Sequence, residues 1–101
     1  MKINFDATLH DEQGCVINLG STEEPKSATL SWIACQALLA TYPGESIGGE
    51  EKHRRFKMWQ QLKDGGDIEI KIEDAALIKR LIGLGAIPII CGQAYDLLEG
   101  A

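Results

Sequence analysis

Ser27 to Gly44 reads SATLSWIACQALLATYPG and carries no charged side chain. Helix formers fill its middle, a Ser or Thr is available as N-cap, and Pro43-Gly44 closes it, so the spacing predicts a helix over about 29–42. On that helix Leu30, Ala34 and Leu38 share one side, Trp32 and Leu39 a second, and Ile33, Ala37 and Ala40 a third. A helix that is apolar in nearly every direction has to be covered on most sides, by its own domain or by a partner. A helix of about 13 residues is ~20 Å long, short of the ~30 Å hydrocarbon core of a bilayer. It is therefore expected to be a central core helix, and no membrane span is expected.

The rest of the chain supplies the cover. Lys2 to Leu9 alternates, with Ile3, Phe5, Ala7 and Leu9 on one side and Lys2, Asn4, Asp6 and Thr8 on the other, the period of a half-buried strand. His10 to Gly14 reads as a turn and Cys15 to Leu19 as a second strand, giving a predicted hairpin over 2–19 whose apolar face needs a helix. GSTEEPK, residues 20–26, is a polar connector. A second helix is predicted over about 50–63, with Glu50 and Glu51 favouring its N-terminal dipole and Gly65-Gly66 beyond its end. Its residues Phe56, Met58, Trp59 and Leu62 are expected to face inward, and His53, Arg54, Lys57 and Gln61 outward. Asp67 to Ile72 alternates again, as a short extended segment that pairs with the edge of the hairpin.

Two more helices complete the prediction. Over 73–84, Leu77, Ile78, Leu81 and Ile82 form the buried stripe, and Gly83 and Gly85 allow a sharp end. Over 87–99, Pro88 suits the first turn, and Ile87, Ile90, Cys91, Ala94, Leu97 and Leu98 form an apolar face opposite Gln93, Asp96 and Glu99. The apolar start of that helix, Ile87, Ile89 and Ile90, is expected in the core. The expected fold is α+β: one domain over 1–101, an N-terminal β-hairpin packed on about four helices.

The totals narrow the function classes. A composition of 45% hydrophobic and 25% charged residues is that of a globular chain, and a net charge of -5 weighs against indiscriminate binding to nucleic acid or anionic membranes. Lys2 and Asp6 bracket only Ile3-Asn4-Phe5, which is no leader's apolar core, so a cytoplasmic location is expected. The three cysteines, Cys15, Cys35 and Cys91, stand in apolar sequence, as buried thiols do in a reducing compartment. No Cys-x-x-Cys or His-x-x-x-His spacing exists, apolar faces raise a thiol's pKa, and the glycine pairs lack the residues of a phosphate-binding loop. No catalytic residue, metal or cofactor is therefore assigned, and the chain is not expected to be an enzyme.

One local feature stands out. Lys52 to Lys63, KHRRFKMWQQLK, holds five of the ten Lys and Arg residues and no acid. His53, Arg54, Lys57 and Gln61 on its outer side suit an acidic protein patch or phosphates, although a run of surface charge is more often a solvated face. The start of the last helix offers one glutamine and no base, so a DNA-reading helix-turn-helix is not supported.

The chain resembles a family of small proteins of tailed bacteriophages and prophages. The likeness lies in Met1-Lys2-Ile3-Asn4-Phe5-Asp6-Ala7, Ala37-Leu38-Leu39-Ala40, Gly49-Glu50-Glu51-Lys52, Ala76-Leu77-Ile78-Lys79-Arg80-Leu81-Ile82-Gly83 and Gly92-Gln93-Ala94-Tyr95-Asp96-Leu97-Leu98-Glu99. The resemblance implies a non-enzymatic protein that binds a host or phage protein. The first expectation is a modulator or inhibitor of a host factor or defence complex, acting in the host cytoplasm through Arg54, Lys57, Gln61, His53 or Trp32. The second is a virion-assembly accessory, such as a tail-assembly chaperone or minor structural component. Nucleic-acid binding through the basic face ranks third, and the uncharged first helix makes a homodimer a further expectation.

Overall fold

In the computed structural model, which describes residues 1–100, the element order is β1 (Lys2–Asn4), α1 (Leu30–Leu39), α2 (Gly49–Leu62), β2 (Asp67–Glu69), α3 (Ile72–Gly85) and α4 (Pro88–Leu98). An antiparallel strand pair and four helices make the fold α+β. α1 packs against α2, α3 and α4, so the uncharged helix is the centre of the molecule.

β1 pairs with β2, Lys2 opposite Glu69, Ile3 opposite Ile68 and Asn4 opposite Asp67. The second alternating segment is thus the regular partner of the first. Between residues 5 and 29 the ladder is reduced to isolated bridges, Thr8 with Thr29, His10 with Val16 and Asn18 with Ser27. Side chains replace the missing ladder bonds. Asp11 Oδ1 accepts from the Gln13 and Cys15 amides, and Asn18 Oδ1 from the Gly20 and Lys26 amides. Such Asx turns offer the backbone an alternative to pairing. As a result Val16 and Leu19 stay exposed, and so does Cys15, against the expectation of a buried thiol; Cys35 and Cys91 are half-buried. Of the inward side read for Lys2 to Leu9, Ile3, Phe5 and Leu9 are buried and Ala7 is half-buried.

The opening segment also terminates α1. Its first amides have no intrahelical acceptor. Leu30 N–H donates to the Ala7 carbonyl, Ser31 N–H to the Phe5 carbonyl, both at 2.9 Å, and Trp32 N–H to Thr29 Oγ1 at 3.2 Å. At the other end α1 stops at Leu39 rather than continuing to Tyr42. Pro43 disfavours helical backbone at the residue before it, and the Tyr42 hydroxyl folds back to donate to the Ala37 carbonyl at 2.7 Å. The buried Ser31 hydroxyl donates to the Leu62 carbonyl at 2.6 Å, tying the start of α1 to the end of α2.

α3 runs through Gly83 to Gly85 without stopping at the first glycine, whose missing side chain leaves room for the Tyr95 hydroxyl of α4. Ile87 is the N-cap of α4 and points out, 59% exposed, with Leu84 beside the same turn at 58%; Ile89 and Ile90 are half-buried. A residue just outside a helix does not share its buried stripe, which is why the expected core position of Ile87 fails. Gln93, assigned to the polar face, is half-buried. Its amide accepts from His10 N–H at 2.8 Å and donates to the carbonyls of His10 and Ile89. No helix among the described residues is long and apolar enough to cross a membrane.

Candidate functional site

The outward side of α2 differs from the pattern read in the sequence at Phe56, expected inward, and the structure places Arg55, which that pattern assigned to neither face. Arg55 is turned inward, 3% exposed, and Phe56 outward, 43% exposed. Burying a guanidinium requires a charged and hydrogen-bonding partner. Arg55 has two. Its Nη1 and Nη2 meet the carboxylate of Glu45 at 2.8 and 3.0 Å, and its Nε meets Glu51 Oε1 at 3.3 Å. The fork geometry of arginine suits this bidentate contact, and it clips the 43–48 loop onto α2. Hydrogen bonding to Arg55 holds the Glu45 carboxyl below its ordinary range, and Glu45 in turn raises Arg55. Burial raises the Tyr42 phenol, with Arg55 opposing. This cluster gave no separate signal in the sequence, where Arg55 is one cation in a run and Glu45 a loop residue.

The residues proposed from the sequence divide into two groups. Arg54 stays at the surface but is committed: its Nη2 lies 2.9 Å from Asp74 Oδ1 on α3 and its Nη1 3.7 Å from Glu51, and Asp74 is the main cause of its raised pKa. Gln61 donates to the Glu69 carbonyl of β2 at 3.2 Å. His53 and Lys57 are exposed and make no ion pair among the described residues. Trp32 lies apart from them, half-buried on α1 between two clefts.

Three clefts border the outer side of α1. A cleft of about 500 Å³ is lined by Leu39, Tyr42, Ile47, Lys52, Arg55 and Phe56, among others. A second, of about 290 Å³, lies between Lys26, Trp32, Cys35, Leu39, Trp59 and Lys63. Leu39 borders both and is 56% exposed. A third, of about 260 Å³, is reached from Trp32 toward Tyr42, Leu81 and Ala86. Phe56 and Trp59 stack obliquely, ring centroids 5.6 Å apart. Burial raises the pKa of the Cys35 thiol, the Ser31 hydroxyl partly countering, which favours the protonated form. Among the described residues no three His, Cys, Asp or Glu side chains converge as a metal site.

Compared with known proteins, the chain matches no protein-family model, no curated protein and no solved structure.

Proposed function

We propose that this chain is a phage-type protein that acts without catalysis, by binding another protein on the outer face of α1 and α2, and that it modulates or inhibits a host factor or defence complex. The observation that carries the reading is the uncovered apolar surface there. Leu39 and Phe56 are about half exposed, while Leu30, Leu38 and Leu62 of the same two helices are 0–3% exposed. Contiguous apolar surface of this kind is the usual mark of a protein contact. Trp32, which lines a cleft together with Leu39, supplies an aromatic anchor of the kind that dominates interface energetics, and His53 and Lys57 are exposed on the same helix as Phe56 with no ion pair among the described residues. The pairing of Arg54 with Asp74 takes one cation from a phosphate-binding face, which weighs against nucleic acid.

A virion-assembly accessory is the second reading, favoured by the further exposed pair Leu84 and Ile87 at the α3–α4 turn. Quantitative affinity purification from bacterial lysates, with and without phage infection, separates the two. A single host complex recovered by the wild-type chain and lost from Trp32→Ala or His53→Glu/Lys57→Glu supports the first. Recovery of virion proteins only from the infected lysate supports the second. Recovery unaffected by all of these substitutions rejects the surface.

A further inference from the structure

Resting on that protein-binding reading, we infer that the groove between α1 and α2 takes an acidic amphipathic helix of about three turns, seated across Leu39 with carboxylates at both ends. Two stripes build the groove. Trp32, Cys35 and Leu39 recur at i, i+3 and i+7 along α1, and Lys52, Phe56, Trp59 and Lys63 at i, i+4, i+7 and i+11 along α2 and its C-cap. Each spacing holds its residues on one side of a helix. The two stripes meet in the clefts on either side of Leu39, so the floor is aromatic and aliphatic and the two ends are basic.

The charge on this face runs against that of the molecule. The chain carries -5, yet four cations and one carboxylate line the two clefts. The carboxylate, Glu45, is taken by Arg55. Of the other cations, Lys26 and Lys52 make no ion pair among the described residues, and Lys63 has only a 3.6 Å contact with the exposed Asp64. A groove with an apolar centre and lysines at both ends complements a helix with apolar anchors at i, i+3 or i+4 and i+7 and acids at its two ends. Length agrees: Lys52 and Lys63 are eleven positions apart, ~16 Å along the axis, which a partner helix of about three turns spans. A second copy of the chain fits worse. A two-fold contact of groove on groove sets one lysine-bearing rim against the other.

The chain's two tryptophans, Trp32 and Trp59, both line the groove, so their fluorescence reports its occupation. Titration with a tryptophan-free synthetic 14-residue helix carrying leucine anchors and terminal glutamates is expected to give a saturable spectral shift. A version with lysines in place of the glutamates should bind at least roughly tenfold more weakly, the sum of three modest exposed pairs lost and replaced by repulsion. Leu39→Asp should abolish the shift. Lys52→Glu/Lys63→Glu should reverse the preference toward the basic peptide. All three positions are exposed, and circular dichroism verifies that the variants fold. Equal affinity for acidic and basic peptides, no shift with either, or a self-association lost in Leu39→Asp overturns the proposal. A lysate partner held by the wild-type chain and by Leu39→Asp alike, but lost from His53→Glu/Lys57→Glu, overturns this groove while leaving the protein-binding reading intact.

Discussion

Replacing Arg55 with methionine keeps the unbranched stem and removes the guanidinium, leaving Glu45 and Glu51 without their common partner. Hydrogen bonds to a charged group contribute about 1.5–3 kcal/mol each, and two of the three here are short and well placed. The freed carboxylates rehydrate, because Glu45 and Glu51 keep 17% and 29% exposure, which returns part of the loss. The net destabilisation expected for Arg55→Met is about 2–3 kcal/mol, or roughly 10–20 °C in Tm for a chain of this size. Lys57→Met, two residues away and exposed without an ion pair, should change stability by less than ~0.5 kcal/mol. The pH dependence carries the same signature. Folding lowers the pKa of Glu45, so the extra stability of wild type is present above the unfolded carboxylate value of about 4.3 and is lost as pH falls through the lower folded value. Urea and thermal melts of wild type and Arg55→Met between pH 7 and 3 should therefore converge in acid. A variant no less stable than Lys57→Met, or a difference that does not shrink in acid, refutes the role given to the clip.

Gln93→Ala removes the two hydrogen bonds that tie His10 to α4, and a third to the Ile89 carbonyl, and should cost about 1–2 kcal/mol, with amide exchange speeding first at His10 and Ile17; unchanged exchange there would contradict it. Gly65, with φ +71°, takes a conformation that a side chain strains, and its Cβ would meet the Asp6 carboxylate, so Gly65→Ala should destabilise by about 1–2 kcal/mol. Gly92→Ala, in an open position inside α4, should stabilise by about 0.5–1 kcal/mol in the same denaturation assay. Alkylation followed by mass spectrometry should modify exposed Cys15 before Cys35, with Cys35 labelling accelerating as pH is raised; equal rates at both would count against the burial described for α1.

The helical stripes were readable in the sequence because a 3.6-residue apolar period requires no knowledge of what covers it. Leu77, Ile78, Leu81 and Ile82 were read as the inner side of α3 and are buried, and the alternation of Asp67 to Ile72 signalled a segment that β1 does pair with. The period was less informative on α2. Phe56 and Arg55 are neighbours, one turn of a wheel places either near the seam, and hydrophobicity favoured the phenylalanine. The choice was made by Glu45, a loop residue ten positions away whose carboxylate makes burial of a guanidinium tolerable.

By itself the sequence determined that an uncharged helix would be central, that three further helices and an alternating N-terminal segment would cover it, and where most of the helices would begin and end. Those are local matters, set by propensity, caps and apolar spacing. Only the tertiary structure decided which side of the central helix would stay uncovered and which cations would be left unpaired beside it. Arg54 and Arg55 were bound by Asp74 and Glu45, while Lys26, Lys52 and Lys63 were brought around Leu39 from a loop and a second helix. Charge pairing and surface coverage depend on which distant segments meet, and residue spacing along a chain does not encode that meeting.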